Sequence, residues 1–111
     1  MFARVTTYEL PEGKASESVR AFEPAIERIR ALEGLVEAYF LVQCDGAQGM
    51  TMTLWTSRDA MERSRVAAST ARTEAAKNLD AEVSATYEFE VGVHRTAFDV
   101  EQTAVAEPTH A

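Results

Sequence analysis

Apolar and polar positions along this chain follow two alternating periods. Residues 2–10 repeat every second position, with Met1, Ala3, Val5 and Thr7 on one side and Phe2, Arg4, Thr6, Tyr8 and Leu10 on the other. That spacing predicts a strand, and Pro11, Glu12 and Gly13 break it. Over residues 15–33 the period becomes helical: Val19, Phe22, Ile26, Ile29 and Leu32 recur at three- and four-residue steps behind Ser16, a candidate N-cap. Pro24 predicts a kink or a restart within this helix. Gly34 predicts its left-handed stop, with Leu35 packing back on the last turn.

Alternation returns in residues 35–44. Val36, Ala38, Phe40 and Val42 fall on one face, Leu35, Tyr39 and Leu41 on the other, and Cys44 at the end is expected to be a small buried residue. The segment DGAQG, 45–49, predicts a hairpin loop. The strand that returns, 50–55, separates Met50, Met52 and Leu54 from Thr51, Thr53 and Trp55, and leads straight into a helix start at Thr56 or Ser57, with capping-box spacing from Thr56 to Asp59. Met61, Ser64, Ala68, Ala71, Ala75 and Leu79 form the stripe of this second helix. Residues 81–95 show the cleanest alternation: Val83, Ala85, Tyr87, Phe89, Val91 and Val93 oppose Ser84, Thr86, Glu88, Glu90, Gly92 and His94.

Strand, helix, strand, strand, helix, strand is the order of two split βαβ units. It predicts an α+β fold, the ferredoxin-like plait (βαββαβ): a four-stranded antiparallel sheet with two helices on one face. Two helices cover one side of that sheet, yet the second strand is apolar on both. A symmetric partner laid against the open side removes the exposed patch, so a homodimer is expected.

With 111 residues the chain is expected to hold one core, in a domain spanning residues 1–98, followed by an acidic C-terminal arm, 99–111, that is partly disordered and whose segment 98–105 is read as lying on a partner. The net charge of −7 argues against nucleic acid, which selects basic surfaces, and against anionic membranes. A single cysteine offers no internal disulfide and no CxxC pair. The N-terminus lacks the pattern of a secretory signal, so a cytoplasmic protein is the expectation.

Trp55 beside Thr51 and Thr53 suits an aromatic ligand that needs stacking and one or two hydrogen bonds; alternatively the indole closes the end of the core. Tyr8, Tyr39 and Tyr87 are candidates to exchange a proton with such a ligand, or are core residues with hydroxyls at the edge. Glu88 and Glu90 share a strand face with Arg4 near by, which fits either acid-base work or an ion-pair cluster. His94 has no partner residues in metal-binding spacing, and no phosphate loop, dinucleotide fingerprint or serine elbow is present.

Glu33-Gly34-Leu35 before a strand, Leu54-Trp55-Thr56-Ser57 closing another, Arg58-Asp59-Ala60-Met61 opening a helix and a long last strand together resemble the antibiotic biosynthesis monooxygenase-like family of dimeric α/β barrels, over nearly the whole chain to about Phe98. The resemblance implies a homodimer with a pocket in each subunit between sheet and helices. Some members oxygenate aromatic polyketides there without metal or flavin, and others bind and degrade haem. Trp55 matches the family tryptophan. Where the haem-degrading members carry an asparagine on the first strand this chain offers Thr6 and Thr7, and Arg65 and Val66 occupy the turn of their helical histidine. Thr51 stands where the polyketide oxygenases have an asparagine. By that location Arg65 is a candidate cation for a phenolate or carboxylate, or a solvated helix residue.

The implied pocket set is Trp55, Thr51, Thr53, Thr6, Tyr8, Tyr39, Tyr87 and Arg65, with no cofactor and no metal. The implied activity is cofactor-independent oxygenation of a small aromatic or quinol-like molecule. The alternative is a non-catalytic dimeric barrel that binds a hydrophobic metabolite or serves as an interaction module.

Overall fold

A computed structural model of the chain describes residues 1–97. Its elements are β1 (Phe2–Glu9), α1 (Ala15–Arg30), β2 (Leu35–Val42), β3 (Gln48–Trp55), α2 (Arg58–Arg63), α3 (Arg65–Leu79) and β4 (Glu82–Glu90). All strand pairs are antiparallel and the sheet order is β2-β3-β1-β4, which is the ferredoxin-like α+β plait. Within one chain the sheet is open, not closed into a barrel. The expectations for residues 98–105 and for the arm at 99–111 lie outside the described residues.

The pleat sorts every strand residue to one of two sides. Register pairs Ala3 with Leu54 and Phe89, and Val5 with Met52 and Tyr87, while Met52 also faces Tyr39. These residues share the side away from the helices, where Tyr87 and Phe89 are 55% and 52% exposed. Arg4, Thr6, Tyr8, Thr51, Thr53 and Trp55 point the other way and are buried beneath the helices. The more polar side of β1, β3 and β4 therefore faces inward.

The covered side is filled unevenly. Under α1, Phe22 meets Tyr8 edge-on at 4.7 Å between ring centres and stacks on Phe40 at 4.3 Å and 5°. Such pairs add about 0.5–1.5 kcal/mol beyond their burial. Under α3 the facing residues are Ala68, Ala71, Ala75 and Leu79, as the helical stripe predicted, and their small side chains let α3 lie close against α1. Contact between α3 and β4 is sparse.

Several local expectations change. The first helix begins after Lys14 instead of Ser16, and its buried stripe is Ser18, Phe22, Ala25 and Ile29. Val19 is exposed. The hydroxyl of Ser18 turns back to donate to the Ala15 carbonyl, so this polar residue enters the core with its hydrogen bond satisfied. Pro24 sits inside an uninterrupted helix on its solvent side, where water can serve the carbonyl left without a partner. Cys44 is exposed, because β2 ends at Val42 and the residue belongs to the turn.

The second helix is divided at Ser64. The Met61 carbonyl there accepts from Ser64 Oγ at 2.6 Å and from Arg4 Nη2 at 2.7 Å, both in competition with its place in the helical ladder. Among the described residues three helices thus stand where two were expected. Ser57, not Thr56, caps α2 by accepting from the Ala60 amide at 3.1 Å. The last strand is shorter than 81–95 because β1 offers no partner beyond its start: the Val91 amide still donates to the Met1 carbonyl at 2.9 Å, and pairing ends there.

Gly34 explains how the β3 end and α2 come together. Its φ is +86°, its carbonyl accepts from the Thr56 amide at 2.8 Å, and a Cβ placed on it would overlap the Ala60 side chain. Gly13 also has positive φ, +74°, but open space around it. Gly13→Ala is expected to cost about 1–2 kcal/mol from backbone strain alone. Gly34→Ala adds the steric clash and is expected to cost about 3 kcal/mol or more. Urea unfolding of both variants checks the difference, and equal losses would mean that α2 does not rest on Gly34.

Candidate functional site

Four elements place polar side chains in the interior beneath α2 and α3. From β1 comes Arg4, whose guanidinium donates through Nε and Nη2 to Glu88 Oε2 at 3.0 and 2.8 Å, through Nη1 to Ser64 Oγ at 3.1 Å, and through Nη2 to the Met61 carbonyl. Its carbon lies 5.8 Å from the Trp55 ring centre, within cation–π range. Thr6 and Thr86 share a hydrogen bond of 3.1 Å, as do the Tyr8 and Thr51 hydroxyls at 2.9 Å. From β4, Glu88 holds Arg4 on one side and Arg65 of α3 on the other.

The electrostatics follow from those partners. Arg65 and Arg4 donate to Glu88 and hold its carboxyl well below the ordinary range, from 4.5 down to about 2, against the opposing effect of burial. Burial pushes the Tyr8 phenol up to about 12, so it stays protonated at neutral pH. On α3, burial lowers Arg72 from its usual value, and the nearby Arg4 adds to that, while Tyr8 and Glu88 act in the opposite sense.

Of the expected pocket set, the fold brings Thr6, Tyr8, Thr51, Thr53 and Trp55 to one side of the sheet, with Arg65 at the rim beside Glu88. Trp55 is 0% exposed and its Nε1 donates to Thr53 Oγ1 at 2.9 Å, so the indole is enclosed behind Arg4. Tyr39 and Tyr87 do not join them. The pleat turns both to the opposite side of the sheet, where the Tyr39 hydroxyl donates to Glu37 at 2.6 Å. His94 is exposed beyond the end of β4. Arg72 was not singled out, since in the helical pattern it reads as one more solvated cation, and only the packing of α3 buries it.

Three clefts among the described residues lie elsewhere. One of about 310 Å³ runs between α1 and the β2 edge and is lined by Ile26, Arg30 and 35–39. One of about 450 Å³ sits between the Leu10–Gly13 turn and the β2–β3 hairpin, and one of about 200 Å³ lies by Leu32, Ala60 and Ser64. Of the expected pocket set only Tyr39 lines any of them. The side on which the candidate residues approach solvent is the gap between α3 and β4, where Thr86 is exposed and Glu88 half-buried.

The antiparallel β2-β3-β1-β4 sheet with its helices on one face defines the ferredoxin-like class of α+β proteins. Residues 1–76 match the family model for antibiotic biosynthesis monooxygenases, and the chain belongs to that family. A comparison with curated proteins finds no match. Among solved structures, the fold is similar to that of a protein named as a putative antibiotic biosynthesis monooxygenase from Deinococcus radiodurans, at 14% identity and a TM-score of 0.68 over 86% of this chain and 97% of that one. It is also similar to a variant of SnoaB, a cofactor-independent oxygenase from Streptomyces nogalater, at 15% identity and a TM-score of 0.67 over 84% and 94%. A haem-degrading protein of Mycobacterium tuberculosis matches at 17% identity and a TM-score of 0.63 over 86% and 98%.

No described helix is long and apolar enough to cross a membrane, and the described residues contain no group of three His, Cys, Asp or Glu able to hold a metal.

The Glu88 carboxyl is depressed in the folded chain, so its contribution to stability is complete above about 4.5 and is lost as pH falls from there toward about 2. Wild-type protein is therefore expected to weaken steadily across that window in denaturant titrations. Glu88→Gln is expected to lower stability at pH 7 and flatten this part of the acid profile. An unchanged slope would show that other carboxylates carry it.

Proposed function

We propose that the chain is a cofactor-independent monooxygenase-like protein acting on a small aromatic or quinol-like molecule bound between the sheet and the helices, at the α3 and β4 side. The single observation that carries this is the inverted polarity of the sheet. Its apolar face lies outside, and the face under α3 presents Arg4, Thr6, Thr86 and Glu88, with exposure rising from β1 to β4. Thr86 and Thr6 supply hydroxyls for orienting a substrate, and Trp55 backs the Arg4 guanidinium from beneath. Family membership and the likeness to an oxygenase support the reaction class.

The chemistry needs positioning more than functional groups. An electron-rich aromatic gives up a proton, and its anion passes one electron to dioxygen. The resulting radical and superoxide join through a new C–O bond, and the protonated peroxide loses water. A ring CH₂ plus O₂ becomes a carbonyl plus H₂O, with all electrons drawn from the substrate.

A second reading, a barrel that binds an aromatic metabolite without turning it over, is favoured by one feature. Two arginines clamp the Glu88 carboxylate and leave it a weak proton acceptor, and the Tyr8 phenol keeps its proton at neutral pH, so both are poor bases there. Anthrone separates the two. The monooxygenase reading expects oxygen uptake above the spontaneous rate, with one atom of ¹⁸O₂ in the anthraquinone formed; binding without accelerated uptake would leave the second reading in its place.

The exposed outer face supports a homodimer in which a second copy covers Tyr39, Leu41, Tyr87 and Phe89. Native mass spectrometry is expected to give twice the chain mass for the wild type and the monomer for Tyr87→Glu combined with Phe89→Lys. A monomeric wild type would overturn this assembly.

A further inference from the structure

Register sets the outer face of the sheet in rows. Glu37 aligns with Leu54, Ala3 and Phe89, Tyr39 with Met52, Val5 and Tyr87, and Leu41 with Met50, Thr7 and Ala85. Glu37 is the one charged residue in these rows, at the corner where β2 begins. Among the described residues it has no basic partner: the Tyr39 hydroxyl donates to it, and the neighbouring Arg30 turns to Glu27. Beside it lies the cleft of about 310 Å³, whose apolar lining includes Ile26, Leu35, Val36 and Ala38. Val36 is 43% exposed, and a register shift between Leu35 and Glu37 leaves it out of the ladder.

Groups that match this corner follow β4. Val93 is 79% exposed, and among the described residues the Arg95 guanidinium donates only to the His94 carbonyl. Phe2 pairs with both Glu90 and Trp55, and Trp55 pairs with Leu35, so β4 finishes at the end of the sheet where β2 starts. Distance decides whose cleft Val93 can reach. Three residues of extended chain after Glu90 span about 10 Å. The chain's own β2 lies three strand spacings from β4, about 14 Å. A second sheet stacked on the outer face stands only about 10 Å away. A two-fold axis along the strands sets β4 of one copy over β2 of the other and keeps these ends together. An axis across the strands sets β4 over β4 and leaves both Val93 and the cleft in water.

We propose that residues 91–97 of one copy strap the β2 edge of a second copy, with Val93 seated in the cleft and Arg95 paired with Glu37. This rests on the homodimer reading above and fixes its axis. The contact occurs twice in the dimer. Each strap also covers an edge strand whose outward N–H and C=O groups are otherwise open to wrong partners.

The test uses the full chain with the exposed Cys44 replaced by serine. Val36→Cys combined with Val93→Cys is expected, on mild oxidation, to give a covalent product of twice the chain mass, while either cysteine alone leaves single chains under denaturing conditions. Arg95→Glu and Glu37→Arg are each expected to weaken the dimer about threefold or more, because an exposed ion pair is lost at two symmetric places. Their combination is expected to recover most of that loss in sedimentation at low salt. A disulfide closed within one chain, or a native dimer that forms no cross-link, overturns the strap and leaves the homodimer standing. A cross-linked dimer in which the charge exchange recovers nothing removes the pairing of Arg95 with Glu37. A wild type that is monomeric in native mass spectrometry removes the homodimer and the strap together.

Discussion

A guanidinium taken out of water has to be met on every side, and in this chain that requirement belongs to Arg4. Its partners come from two places far from it in sequence: Glu88 on β4, and the Met61 carbonyl with Ser64 where α2 meets α3. Each contact has a structural consequence. Holding Met61 and Ser64 divides the second helix. Bringing Glu88 under the helices obliges its neighbours Tyr87 and Phe89, half a pleat away, to face outward. The open apolar face of the sheet is thus the other side of a partly buried ion pair.

The interior built around that pair has two characters. Beneath α1, three aromatic rings fill the space between helix and sheet. Beneath α3, alanines bury little apolar area, and the groups facing them are hydroxyls, guanidinium groups and a carboxylate. Ligand sites are drawn from regions where packing is least dense, since a well-filled core leaves nothing to bind. Contact between α3 and β4 is sparse, while the aromatic packing lies under α1. Membership of the antibiotic biosynthesis monooxygenase family accords with this division.

Much of the architecture was legible from periodicity. The stripe from Met61 to Leu79 and the segregation of Thr51, Thr53 and Trp55 from the methionines stand as the spacing predicted, while Gly34 takes its left-handed φ but does not stop the helix, which ends earlier, at Arg30. The site was less legible. Tyr39 and Tyr87 were grouped with Trp55 by chemical type, though strand parity alone does not relate faces on different strands until register is known. Val19 outranked Ser18 on hydrophobicity, but a serine that bonds its own backbone enters a core readily. Arg72 carried no signal, because an arginine on a helix reads as solvated until a neighbouring layer covers it.

What the sequence determined by itself is therefore local: which segments are strands or helices, and that the chain has more apolar faces than two helices can cover. Those properties depend on side chains a few residues apart, whose spacing the chain imposes directly. Tertiary structure alone decided which face is inner, which arginine is paired and which is left open. Those outcomes depend on contacts between residues such as Arg4 and Glu88, 84 positions apart, where burial turns an ordinary surface charge into a demand for a partner.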